Sequence, residues 1–309
     1  MSGDYREIAY EVKDGIALIT LDRPERLNAI TDRLIAEMID AVDRVDAGDE
    51  VRVAILTGRG RAFCAGADLD DGTQTFETYD GGVSEPFSME RHADGGGHLV
   101  LRLWRSTKPW IAAINGPAVG GGLTMTLPMD IRIAAEGARM GFVFTRIGLA
   151  PEACSSWFLP RLVGVSQAAE WVYSARVFDA QEALAGGLVR SVHPDDRLLQ
   201  DARELAATLI ERSAPVATAA SRWMLWHMLG VDDPAVAHAF ESETLFSLAG
   251  GPDASEGVAS FLAKRPAEFP LRVSRELPAF LAERRRAELE RARAQGGPSA
   301  GPSTQEADQ

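Results

Sequence analysis

Asn115-Gly-Pro-Ala-Val-Gly-Gly-Gly122 decides the reading of this chain. It follows the uncharged run 110–114, which has the apolar content of a short buried strand, and precedes an apolar segment at 123–127 that reads as the start of a helix. Three glycines at such a junction let the backbone approach a ligand with no side chain in between. They also leave unsatisfied N–H donors at the positive end of a helix dipole. Upstream, Arg61-Ala-Phe-Cys-Ala-Gly-Ala-Asp-Leu69 leaves another buried run, 51–57, through small residues and offers backbone N–H groups in the same manner. The amides of Ala67 and Gly121 are the candidate donors. Two donors aimed at one oxygen stabilise a developing oxyanion by roughly 3 to 4 kcal/mol each. Taken singly, either segment is also an ordinary turn or a close helix contact.

The surroundings read as an α/β protein. Ile8, Tyr10 and Val12, then Lys13-Asp14-Gly15, then Ile16, Leu18, Ile19 and Leu21 predict a β-hairpin. Thr31 is placed to cap a helix whose stripe is Leu34, Ile35, Met38, Ile39, Val42 and Val45, with Gly48 closing it. Another strand is expected at 131–134. From about Ser155 onward apolar stripes predict helices, at 168–173, 180–185, 201–212, 215–229 and 234–248. The stretch 71–97, rich in Gly, Asp and Glu, reads as loosely held, and the tail from Gln295 as disordered. This divides the chain into a core at 1–200, a helical region at 201–294 and a tail at 295–309.

Composition removes several classes of function. A net charge of −13 and a pI near 4.9 repel nucleic acid and anionic membranes, so an anionic ligand needs a local basic pocket. Cys64 and Cys154 are the two cysteines, too few for a disulfide framework or a zinc site, and a reducing, cytoplasmic location is expected. No signal peptide is recognisable. The charge-free span 110–129 is interrupted by Asn115, Pro117, three consecutive glycines and Pro128, which argues against a membrane helix. No dinucleotide fingerprint or Walker A loop is present, and no metal or separate cofactor is expected.

The two glycine-rich segments, together with Asp22-Arg-Pro-Glu-Arg-Leu-Asn-Ala-Ile30 and Phe261-Leu-Ala-Lys-Arg265, make the chain resemble the crotonase (enoyl-CoA hydratase/isomerase) superfamily from about residue 5 to 270. The resemblance implies a crotonase-like ββα spiral core, a helical C-terminal trimerisation region, and a homotrimer or dimer of trimers. It implies an acyl-CoA thioester substrate, whose coenzyme A is part of the substrate, with Ala67 and Gly121 as the oxyanion hole. Arg23, Arg26 and Leu27 would lie along pantetheine and pyrophosphate. Phe261 and Lys264 would cover the adenine end, from the same or a neighbouring subunit. Ala65, Asp68, Leu69, Thr124 and Phe144 would border the bound thioester, although Asp68 and Asp130 also read as a cap and as an ion-pair partner of Arg132.

Two departures set the expected chemistry. Hydratases of the superfamily carry two glutamates, and here those places hold Thr124 and Phe144, neither of which serves as a base. Glu152 stands instead in Pro151-Glu-Ala-Cys-Ser-Ser-Trp-Phe-Leu-Pro160, similar to the peroxisomal Δ3,Δ2-enoyl-CoA isomerase branch, where the matching glutamate is the acid/base. That implies a double-bond shift. Against it, Pro151 followed by an acid is common helix-start chemistry. The alternatives are a hydratase in which Glu152 activates water and a non-catalytic or RNA-binding homologue. Three lysines in the whole chain disfavour RNA binding. His92 and His98 fall beside the expected pocket and read as surface residues, and both cysteines as packing.

Overall fold

In a computed structural model of the protein, residues 5–68 and 86–294 are described. The expected hairpin forms from β1 (Ile8–Lys13) and β2 (Ile16–Leu21), antiparallel, with Ile8 opposite Leu21 and Lys13 opposite Ile16. Asp14 and Gly15 close it at φ 52° and 79°, the positive values whose twist matches that of the flanking strands. Helix α1 (Asp32–Ala47) starts where Thr31 accepts a hydrogen bond from Leu34 N, and it buries Leu34, Met38, Val42 and Val45.

The chain continues through β3 (Val53–Gly58), α2 (Met89–His92), α3 (Gly95–Trp104), β4 (Trp110–Ile114), β5 (Ala118–Val119), α4 (Gly121–Thr124), β6 (Ile131–Ala135) and β7 (Arg139–Gly141). Next come α5 (Ser155–Val163), α6 (Val165–Ser174), β8 (Phe178–Asp179), α7 (Ala180–Ala185), β9 (Ser191–His193) and α8 (Leu198–Glu211). The main sheet has the order β1-β2-β3-β4-β6-β9, and every pair after the first is parallel. A small sheet, β5-β7-β8, stands beside it. Because β3 and β4 are parallel neighbours, the loops that leave their C-terminal ends emerge on the same edge of the sheet, the edge where open α/β sheets gather their ligands.

Burial is uninterrupted along β3 and β4, where α8 packs on the sheet, while α1 packs on β1 and β2 and carries α3 beside it. The core includes Leu198, Ala202 and Ala206, so the expected domain boundary at residue 200 falls within a helix that packs on the sheet. Beyond it, α9 (Pro215–His227), α10 (Pro234–Ala249), α11 (Pro252–Ala263), α12 (Val273–Glu276) and α13 (Ala279–Ala294) form the helical region. A second apolar cluster of Ala220, Phe240 and Leu281 joins α9, α10 and α13.

Three expectations need correction. Within the stretch expected to be loosely held, α2 and the first turn of α3 are regular structure, because Asp94 caps α3 by accepting from Gly97 N. Asp130 does not pair with Arg132. Its carboxylate accepts from Trp110 N, Arg222 Nε at 2.9 Å and Trp226 Nε1, tying β4 to α9, whereas Arg132 donates to the carbonyls of Leu188, Thr126, Leu127 and Met129. The turn after the triple glycine also ends sooner than expected, at Thr124 rather than residue 127. The expected disordered tail, 295–309, lies outside the described residues.

Candidate active site

The loop after β3 and the loop after β4 are stitched together residue by residue. Phe63 N and Cys64 N donate to Pro117 O, Val119 N donates to Cys64 O, and Cys64 pairs with Ala118 as a parallel bridge. Three residues further along each strand of that pairing stand Ala67 and Gly121. The approach is so close that a Cβ at Gly122 would lie 2.2 Å from Cys64 O, and one at Gly66, where φ is +94°, would lie 2.9 Å from Val119 O and 4.0 Å from Gly121 N. Glycine at both positions is therefore a packing requirement.

On its other side the first loop is held by the 22–30 segment. Ala65 N donates to Leu27 O, Ile30 N to Gly66 O, and Asp68 N to Ile30 O. These alternate bonds turn the N–H of Ala67 away from Ile30. Neither Ala67 N nor Gly121 N donates to an acceptor among the described residues. Helix α4 is a single turn, so the Gly121 amide itself, rather than a summed helix dipole, would carry any charge stabilisation. Asn28, which the sequence did not single out, clamps this frame: its Nδ2 donates to the carbonyls of Arg59, Ala62 and Phe63.

Glu152 faces the same place. Thr124 Oγ1 donates to Glu152 Oε1 at 2.7 Å. A Cβ at Gly121 would lie 3.8 Å from that oxygen, and one at Gly96 would lie 2.5 Å from Glu152 Oε2. The helix-start reading of Pro151-Glu152 does not hold. Helix α5 begins at Ser155, and Ala153 and Cys154 before it take left-handed conformations at φ 51° and 54°. Glu152 thus precedes a sharp corner and projects from it instead of lying in a first helical turn. Burial pushes its carboxyl up to about 7 from 4.5; the nearby Asp94 carboxylate adds to the rise, and the Thr124 hydroxyl opposes it.

Asp94 is the residue that the sequence reading missed. Besides capping α3, it accepts from Ala153 N at 3.2 Å, and its carboxyl approaches that of Glu152 across Gly96, where a Cβ would lie 3.4 Å from Asp94 Oδ1 and 2.5 Å from Glu152 Oε2. The pattern Asp-Gly-Gly-Gly at 94–97 carries an N-cap signal, but nothing in it points to residue 152.

The other expected residues divide. Thr124 is fully buried against Glu152, and the buried Phe144 ring lies 3.9 Å from where a Cβ of Gly120 would be. Leu27, Ala65 and Asp68 belong to the stitched loops, whereas Leu69 lies outside the described residues. Arg23 is committed within the chain, to Ala29 O at 2.6 Å, Asp68 at 2.9 Å and Glu7 at 3.5 Å, so it braces the loop. Arg26 is exposed in the turn Pro24–Arg26. Phe261 (82% exposed) and Lys264 stand on the surface at the end of α11. His92 turns Nδ1 toward Ser88 N at 2.9 Å, and His98 lies one turn after Asp94 in α3. Cys64 is wholly buried, with its thiol pushed up to about 12, and burial likewise raises Cys154, so neither is an activated nucleophile. Among the described residues no cluster of three or more His, Cys, Asp or Glu could hold a metal ion, and no helix is long and apolar enough to cross a membrane.

A mainly parallel sheet that sends two mutually bonded loops to one edge, backed by a helical C-terminal region, is the crotonase fold. The chain belongs to the enoyl-CoA hydratase/isomerase family, whose model matches residues 11–272. It is 38% identical to an enoyl-CoA hydratase of Alternaria alternata over 83% of each chain. It is 34% identical to the 1,2-epoxyphenylacetyl-CoA isomerase of Escherichia coli, over 85% of this chain and 97% of that one. A solved enoyl-CoA hydratase from Bacillus anthracis superposes with a TM-score of 0.77 at 31% identity, covering 85% of this chain and 99% of the other.

Proposed function

We propose that this acyl-CoA enzyme moves the double bond of a 3-enoyl-CoA to the 2-position, with Glu152 as both base and acid. The observation that carries this reading is a single buried glutamate, held near neutrality, beside two backbone amides with no acceptor among the described residues, with Thr124 and Phe144 at the places where, by the resemblance, hydratases carry their carboxylates. Ionised Glu152 removes a proton from C2. The electron pair moves into a dienolate whose oxygen accepts from Ala67 N and Gly121 N, and the glutamic acid just formed gives the proton to C4. A group with a pKa close to 7 takes and returns a proton with little penalty in either direction. This assignment is the one expected from the resemblance to the peroxisomal isomerase branch.

A hydratase is the second reading, favoured by the Asp94 carboxyl beside Glu152, since two adjacent carboxyls can orient a water. Incubating the protein with 3-enoyl and 2-enoyl thioesters of several lengths, and following migration and hydration separately, decides between the two. Full turnover by Glu152→Gln would overturn both.

The coenzyme A moiety would run past Leu27 and the exposed Arg26 toward Phe261 and Lys264. The adjoining surface of α10 and α11 exposes Phe246 (89%), Phe261 and Leu262, a patch suited to a second copy of the chain, as the expected trimer or dimer of trimers requires. Sedimentation should give a trimer or hexamer for the native chain and a monomer for the double variant Phe246→Ser, Phe261→Ser.

A further inference from the structure

Asp94 and Glu152 meet at one point, although they come from different elements. Asp94 caps α3, and Glu152 stands on the corner before α5. Gly96 lies between them: a Cβ there would be 2.5 Å from Glu152 Oε2 and 3.4 Å from Asp94 Oδ1, so a residue with no side chain is what allows both carboxyls to fit. Asp94 Oδ1 also accepts from Ala153 N, which fixes the main chain immediately after Glu152.

Little stands nearby to separate the two acids. From α4 the Thr124 hydroxyl reaches Glu152 Oε1, and on the corner itself burial and both carboxyls raise the Cys154 thiol. Just past the end of α3, Arg105 opposes the rise at Cys154 and itself feels the charges of Glu288, Arg102 and Arg291. Among the described residues no cation bridges the pair.

We infer that Asp94 is a positioning residue for Glu152: anchored on the Gly97 and Ala153 amides, its carboxylate is held against the side chain of Glu152 and stays there while Glu152 alone takes and returns the proton. The inference rests on Glu152 as the acid/base, and it assigns a second group to that step. As Glu152 takes the C2 proton, the neighbouring negative charge favours its neutral form, so the proton stays on Glu152 for delivery to C4. No other proton donor is required, and the count balances with one proton removed and one returned. A carboxylate close beside another raises its neighbour's affinity for a proton.

The test uses Asp94→Asn, whose side-chain oxygen can still accept from Gly97 N and Ala153 N while carrying no charge. Difference infrared spectra between the native chain and Glu152→Gln isolate the Glu152 carboxyl band and its titration midpoint, with no turnover involved. Repeating the pair of measurements on the Asp94→Asn background should lower that midpoint by about one pH unit. The acid limb of kcat/KM for the 3-enoyl thioester should move down with it. Asp94→Ala should do the same and also lose thermal stability, since the cap goes too. An unchanged midpoint in Asp94→Asn would reduce Asp94 to a helix cap and overturn the inference. A lowered midpoint in a protein whose native form turns over no enoyl thioester would uphold the carboxyl pair and refute the catalytic reading of Glu152.

Discussion

Replacing Glu152 with glutamine should make the protein more stable as well as inactive, and the gain should depend on pH. The carboxyl ionises at about 7 in the folded chain against 4.5 for an unburied glutamate. Below 4.5 both states are protonated, and the group contributes no difference. Between 4.5 and about 7 the folded chain keeps a proton that the unfolded chain has lost, so native stability falls as pH rises. Above 7 both states are ionised and the whole penalty is present, up to about 3 kcal/mol. Glutamine removes that charge and keeps the volume. Its less favourable hydrogen bond with Thr124 gives back about 1 kcal/mol, leaving a net stabilisation of roughly 1 to 2 kcal/mol at about pH 8. Urea unfolding of both proteins at about pH 4 and pH 8 measures it: the midpoints should nearly coincide at the lower pH and separate at the higher. Turnover of a 3-enoyl thioester should drop by roughly 10² to 10⁴. A variant destabilised equally at both pH values would show that Glu152 is an ordinary structural anion, and the argument from burial would be wrong.

Thr124→Val removes the hydroxyl that favours the Glu152 anion, so the acid limb of kcat/KM should move to higher pH, whereas a limb that stays in place would separate Thr124 from the acid. Gly122→Ala puts a methyl group 2.2 Å from Cys64 O, a clash with backbone that should cost at least about 3 kcal/mol, read as a lowered melting temperature. Asp130→Ala strands the buried Arg222 guanidinium and the Trp226 indole, and should cost about 3 to 5 kcal/mol in urea unfolding without altering the pH profile of any remaining turnover.

Much of this architecture is legible in the sequence because it is local. The hairpin follows from alternation and a Lys-Asp-Gly turn, α1 from a capping threonine and a helical stripe, and the parallel strands from uninterrupted apolar runs. The meeting of the two small-residue loops follows from the family resemblance, since small residues alone mark only where backbone can come close. What escaped the reading depends on partners far apart in the chain. Asp130 finds Arg222, 92 positions away, rather than Arg132, whose guanidinium is taken up by the carbonyls of Leu188, Thr126, Leu127 and Met129. Asp94 reaches Ala153 across 59 positions, and its run of glycines looked like slack when it was in fact the clearance that the carboxyl pair needs. The Pro151-Glu152 pattern pointed to a helix start because positive φ at Ala153 and Cys154 cannot be foreseen from residues that rarely adopt it.

Two consecutive left-handed residues, neither of them glycine, make a stiff bracket, and a stiff bracket fixes reach. The carboxyl group on it is not brought forward by a small hinge in the main chain, so how far it reaches from the backbone is set by the length of the side chain. A shorter acid at position 152 would hang about 1.5 Å short with no slack to draw upon. Homologous length, rather than acidity, would then be what this corner demands of its occupant.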